Sequence, residues 1–157
     1  LLGRSYGFER WPDMDRELWK QLQAEAKAAA IPQPAAVILG ADQDSRALQT
    51  ARSNASRTRL GEAITWQRSA FANLQPPAQT GTLLVNPPYG ARLGDSEALL
   101  PLYRGIGDTL KQRWTGWTAW VFTGNLDLAK KIGLKATRRI VLYNGPIECR
   151  LLKYELY

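Results

Sequence analysis

The stretch Thr82-Leu83-Leu84-Val85-Asn86-Pro87-Pro88-Tyr89-Gly90 joins a short apolar run to a turn stiffened by two prolines. The run is too short for a typical helix and has the appearance of a strand covered on both faces. The prolines fix φ and remove two N–H donors, so the turn after the strand is rigid and exposed. In an open α/β sheet the ligand crevice lies beyond the carboxyl ends of the parallel strands, which is where this turn falls.

Outward from this stretch, strands alternate with helices. Upstream, Asp13 to about Ala30 carries Leu18, Trp19, Leu22, Ala26 and Ala29 at steps of three or four, the spacing of an amphipathic helix. Pro12 precedes it, and Ile31-Pro32-Gln33-Pro34 ends it, because proline restricts its predecessor to extended backbone. The apolar run Ala35 to Ala41 predicts a strand buried on both faces. Asp44 or Ser45 is placed to cap a helix from about Arg46 to Ser56, and Ala63 to Gln67 predicts the next strand.

Downstream, Ser96 with Glu97 opens a predicted helix to about Trp114, and Thr118 to Phe122 reads as a strand ending at Thr123-Gly124-Asn125. A short helix near Leu126 to Ile132 follows. Arg139 to Tyr143 and Ile147 to Tyr157 read as a hairpin turning at Asn144-Gly145, a dipeptide suited to two positive φ values. The expected fold class is α/β: a Rossmann-like, mostly parallel sheet with helices on both faces and a C-terminal antiparallel hairpin. The 157 residues suit one domain.

Composition narrows the chemistry. Hydrophobic residues make up 45% and charged residues 22%, the balance of a folding globular domain. With no histidine, the chain can build neither a Ser-His-Asp nor a Cys-His nucleophile system, nor a His-ligated zinc site. The single cysteine, Cys149, allows no internal disulfide and no CxxC metal pair; it reads as core and fits the reducing cytoplasm. No metal is expected. No apolar run reaches the length of a membrane span. The 21 Lys and Arg against 14 Asp and Glu leave a net charge of +7, which favours a polyanionic partner such as nucleic acid. Arg46, Arg52, Arg57 and Arg59, and later Lys130, Lys131 and Lys135, form basic groups that solvated helix faces also produce. Trp114, Trp117 and Trp120 read as packing residues.

Asn86-Pro87-Pro88-Tyr89 after a buried strand resembles the amino-methyltransferase signature of the class I S-adenosylmethionine-dependent family. The resemblance extends along almost the whole chain. Phe8-Glu9-Arg10-Trp11-Pro12-Asp13, Gly40-Ala41-Asp42-Gln43-Asp44, Asn86 to Leu93 and Asn144-Gly145-Pro146-Ile147-Glu148-Cys149 occur in the order seen in the RlmL type, bacterial guanine-N2 methyltransferases of large-subunit (23S) rRNA. The resemblance implies S-adenosyl-L-methionine as cofactor and RNA as partner. It implies that the Asn86 side-chain oxygen and the Pro87 carbonyl accept the two hydrogens of the target amine. Pro88 stiffens the turn, Tyr89 stacks on the flipped base, Gly90 leaves room beside it, and Arg92 lies close enough to contact RNA.

For the cofactor, the resemblance implies that Asp42, with Gln43 beside it, binds the ribose hydroxyls, a task suited to a carboxylate. Read from the residues alone, Asp42 also serves to help cap the following helix. Ser69-Ala70-Phe71 is where the family commonly places an aspartate against adenine; with no carboxylate here, the contact falls to the Ser69 hydroxyl or the backbone of Ala70 and Phe71. The family's glycine-rich loop has no match: Gly105-Ile106-Gly107 lies inside a predicted helix and follows no strand. The expectation is therefore that residues 1–157 form the later part of a methyltransferase catalytic domain. The first strand and its loop, preceded by a THUMP-type RNA-binding domain, would lie before Leu1. The same signature serves DNA adenine-N6 methyltransferases, and a catalytically silent RNA-binding domain of this fold is the other alternative.

Overall fold

The computed structural model describes residues 5–31, 34–58, 61–90 and 95–157. Leu1, Pro32, Gln33, Arg59 and, from the stretch Asn86 to Leu93, Ala91, Arg92 and Leu93 lie outside the described residues. The chain divides into two compact units, residues 1–68 and 69–157.

In the first unit, α1 (Arg16–Ala28) starts where the Asp15 carboxylate accepts the Leu18 N–H at 2.9 Å. This cap, rather than Pro12, sets its beginning. The Trp19 ring takes the rings of Phe8 and Tyr6 edge-on, at 5.0 and 5.9 Å between centroids. Strand β1 (Ile38–Asp42) pairs in parallel with β2 (Ile64–Arg68), and α2 (Ser45–Ala55) between them packs on both. Asp44, not Ser45, caps α2 by accepting the Arg46 N–H at 2.8 Å.

The second unit holds a four-stranded sheet in the order β3 (Gly81–Val85), β4 (Trp117–Thr123), β6 (Ile147–Glu155), β5 (Arg138–Asn144). β3 and β4 are parallel and joined through α3 (Asp95–Arg113); β6 runs antiparallel to both β4 and β5. The short α4 (Leu126–Lys130) follows β4. Inserting the reversed β6 makes β5 parallel to β4. The carboxyl ends of β3, β4 and β5 therefore share one edge of the sheet.

The core of this unit lies against β4. Tyr103, Ile106 and Leu110 of α3, then Trp114, are buried together with Ala119 and Val121 of β4 and Cys149 and Leu152 of β6. Trp114 meets Trp117 edge-on at 4.9 Å. Gly107 lies inside α3, as its sequence context predicts, and its role is packing: a Cβ there would collide with the Ile132 carbonyl.

The α/β class, with parallel pairs and a C-terminal antiparallel hairpin, is as expected; among the described residues the strands pair as one two-stranded and one four-stranded group. Two expectations need correction. Burial on both faces holds for β4, where every position is buried or half-buried, but not for β1, β2 or β3. Leu84, 68% exposed, lies on β3 at a sheet edge, a location its apolar character does not reveal. The hairpin turns at Gly145-Pro146, since Asn144 still pairs with Ile147. Only Gly145 takes a positive φ, +59°, as in a type II′ turn with glycine at its first central position.

Candidate active site

The turn Asn86–Gly90 leaves β3 at the edge where the carboxyl ends of β4 and β5 also lie. Pro87 is buried and anchors the turn, while Asn86 and Pro88 are exposed. Gly90 takes φ +67°, a conformation that favours glycine. Among the described residues, neither the Asn86 amide nor the Pro87 carbonyl forms a hydrogen bond.

Tyr89 is held at both ends. Its carbonyl accepts from Asn125 Nδ2 at 3.4 Å, and its phenol oxygen accepts from Asn144 Nδ2 at 2.7 Å. The ring stands edge-on to Phe122, with centroids 6.5 Å apart and planes 85° apart. Gly124 makes room for it: a Cβ there would come within 2.9 Å of Tyr89 Cε2 and 3.1 Å of Ile147 Cγ2. The ring is half-buried, with its remaining surface open to solvent.

A buried polar chain supports this arrangement from below. The Tyr103 hydroxyl and Thr123 Oγ1 share a 2.8 Å hydrogen bond, and Oγ1 also accepts the Asn125 N–H at 3.1 Å. Burial pushes the Tyr103 phenol up; its bond to Thr123 opposes the shift and the nearby Tyr89 phenol adds to it. At the hairpin, Arg150 Nη2 donates to Glu148 at 2.7 Å, and this bond, with the guanidinium charge, holds the Glu148 carboxyl below its ordinary range.

Of the expected cofactor residues in the first unit, Asp42 is the exposed last residue of β1. One of its oxygens accepts the Asp44 N–H at 2.8 Å, so the helix-entry role is real; the other has no hydrogen bond among the described residues. The Gln43 carbonyl accepts from Arg68 Nε at 3.2 Å. In the second unit, the Ser69 hydroxyl donates to the Ala70 carbonyl at 3.0 Å. Ala70 and Phe71 begin a 3-10 turn, and their N–H groups form no hydrogen bond among the described residues. The Phe71 ring lies nearly parallel to Trp114, at 6.2 Å.

The sequence marks Asn144 as a turn and motif residue and Gly124 and Asn125 as a strand end, but gives none of them a role at the Tyr89 ring. Thr123-Gly124-Asn125 and Asn144-Gly145 were visible as strand ends, but their shared contact with Tyr89 depends on the strand order.

A parallel pair beside an inserted reversed strand, with an Asn-Pro-Pro-Tyr turn at the carboxyl edge, is the arrangement of a class I, Rossmann-like methyltransferase. Residues 5–153 match the family described as "RMKL-like, methyltransferase domain", and the chain belongs to it. It is 49% identical over 150 residues to slr0064 of Synechocystis, a candidate RNA methyltransferase by name, covering 96% of this chain and 39% of that protein. It is 43% identical over 153 residues to the ribosomal RNA large subunit methyltransferase K/L of Methylococcus capsulatus, covering 96% of this chain and 21% of the relative. Among solved structures, SMU.472, a candidate methyltransferase complexed with SAH, superposes with a TM-score of 0.84 at 30% identity, covering 99% of this chain and 41% of that one. A Listeria monocytogenes protein described as a predicted N6-adenine-specific DNA methylase superposes with a TM-score of 0.80 at 32% identity, covering 98% of this chain and 39% of that one. The chain thus spans between about a fifth and two fifths of these four proteins.

Proposed function

We propose that the protein containing this chain transfers a methyl group from S-adenosyl-L-methionine to the exocyclic N2 of a guanine in 23S rRNA. The observation that carries the reading is the pair of acceptors, Asn86 Oδ1 and the Pro87 carbonyl, without hydrogen bonds among the described residues, on a rigid turn beside a tethered aromatic ring. An exocyclic amine is a poor nucleophile because its lone pair is delocalised into the base. Two acceptors on its hydrogens draw the nitrogen towards sp³ character and aim the lone pair away from the turn. Tyr89 offers the flipped base a stacking surface worth about 1–3 kcal/mol, replacing part of the stacking lost. None of these tasks needs histidine or a metal ligand.

Each unit offers groups of the kind the cofactor needs: in the first, Asp42 has a carboxylate oxygen with no hydrogen bond among the described residues, suited to ribose hydroxyls; in the second, the N–H groups of Ala70 and Phe71 have none among the described residues and suit adenine. When bound, S-adenosyl-L-methionine supplies an activated methyl on a sulfonium, which leaves orientation as the protein's task. Asn86 and Pro87 hold the amine hydrogens, and Tyr89 holds the base plane.

RNA is favoured over DNA by the named K/L relatives and the net charge of +7. Exposed Arg46, Arg52 and Arg57, together with Arg92, are basic side chains that could neutralise phosphates. In this reading a THUMP-type domain in the intact protein supplies further RNA affinity, and the enzyme works in the cytoplasm. The Listeria likeness keeps adenine N6 of DNA as the alternative. Incubating the intact protein with methyl-labelled cofactor and either deproteinised, unmodified 23S rRNA or duplex DNA, then digesting to nucleosides, separates the two. Label in N2-methylguanosine supports the proposal. Label in N6-methyladenine replaces it with the alternative, and no label from either substrate points to a silent domain.

A further inference from the structure

We infer that Asn144, at the end of β5, is a positioning residue whose side-chain amide anchors the Tyr89 phenol and thereby fixes the ring against which the target base stacks. The inference rests on the reading of Asn86 to Tyr89 as the transfer site and adds a residue from the other end of the sheet.

The turn itself does not explain Asn144. An Asn-Gly pair usually owes its asparagine to a central turn position with positive φ, but here that conformation falls on Gly145 alone. Asn144 is the last paired residue of β5, opposite Ile147, where turn chemistry does not call for an amide side chain. Its side chain instead donates to Tyr89 Oη at 2.7 Å across 55 residues of sequence. The phenol oxygen has no other hydrogen bond among the described residues.

The remaining contacts define what the tether controls. Phe122 limits tilting of the ring from one side, and Gly124 leaves the space in which it lies. The Asn125 bond fixes the backbone of Tyr89 but leaves χ1 and χ2 free. A hydrogen bond at the far end of the ring removes that freedom, so the stacking face is set before a base arrives. Pre-setting the face reduces the ordering cost when the base binds.

The test uses the intact protein with Asn144→Ala, Tyr89→Phe and the double variant, each in single-turnover transfer to deproteinised 23S rRNA. A second measurement uses 3-fluorotyrosine placed at residue 89 alone and its fluorine resonance, with no RNA present. Loss of one hydrogen bond should slow each single variant by about 3- to 10-fold. The double variant should be no slower than the slower single variant, because both remove the same bond. Asn144→Ala should also shift or broaden the fluorine resonance. Multiplying losses in the double variant would show that Asn144 does not act through the Tyr89 hydroxyl, and an unchanged resonance would show that the tether does not form; either overturns the inference. If wild-type protein labels no RNA, the substrate reading falls, while the resonance still decides whether Asn144 holds the ring.

Discussion

Asn125 donates through Nδ2 to the Tyr89 carbonyl at 3.4 Å, while its Oδ1 accepts the N–H groups of Asp127 and Leu128 at 3.1 and 3.0 Å. One amide thus caps α4 and pins the turn that follows β3. These two tasks use opposite ends of the side chain and can be separated. Asn125→Asp keeps an oxygen for the cap but loses the donor, placing a carboxylate oxygen against the Tyr89 carbonyl. We expect its stability to fall by no more than about 1 kcal/mol, because aspartate is as good an N-cap as asparagine. Methyl transfer should fall by about 10-fold, the cost of a lost hydrogen bond plus repulsion. Thermal melts and single-turnover rates on the same preparation check both halves, and a variant with unchanged transfer would remove the Asn125 contact from the site.

Asn86→Ala is the direct test of the acceptor pair. The Asn86 amide is exposed and has no hydrogen bond among the described residues, so truncation should cost little stability. If its oxygen meets the amine during transfer, the rate should fall by about 100- to 1,000-fold, as when a preorganised polar group is removed from a reacting centre. Cofactor affinity, measured by calorimetry on the intact protein, should change far less. Wild-type single-turnover transfer in this variant would eliminate Asn86 from the mechanism.

Gly124→Ala probes the seat of the Tyr89 ring. The new methyl would lie 2.9 Å from Tyr89 Cε2 and 3.0 Å from Cδ2, too close for the ring to stay in place. The ring is half-buried and can move towards solvent, so the main effect should be on transfer, by about 10-fold or more, with a stability loss of about 1–2 kcal/mol. In the fluorotyrosine-labelled protein, the residue-89 resonance should move in this variant too. A normal rate accompanied by a moved resonance would mean that the position of the ring is unimportant for transfer.

Local chemistry made much of this architecture readable. The Asp44 cap of α2, the central strand β4 and the rigid turn after β3 all follow from residues within a few positions of one another. What escaped the sequence depends on neighbours far along the chain. Leu84 reads as a buried strand residue, yet it is exposed on β3, which among the described residues pairs with β4 alone. Gly107 carries no local sign that the Ile132 carbonyl approaches it. Asn144 reads as a turn residue because Asn-Gly usually is one; its bond to Tyr89 becomes visible only once the reversed β6 brings the end of β5 to the same edge as β3.

Tyr154, on β6, gives the fold a defined alkaline limit. It is 2% exposed, and burial pushes its phenol up to about 12 from the ordinary 10.0, with the Arg139 charge opposing and Tyr103 adding to the shift. Between these values the unfolded chain releases the phenolic proton while the folded protein retains it. The stabilisation is complete below pH 10.0 and is lost as pH rises towards about 12. Across that window the loss should amount to roughly 2–3 kcal/mol. The Tyr103 phenol, also raised by burial, acts in the same direction. Tyr154→Phe removes one titrating group while preserving the ring that packs in the core. Its stability at neutral pH should change by less than about 1.5 kcal/mol, since the substitution nearly conserves volume. Urea unfolding at about pH 9 and about pH 11.5 should then show a smaller alkaline loss in the variant than in the wild type. Equal losses would place the alkaline sensitivity on other groups and leave Tyr154 with a packing role alone.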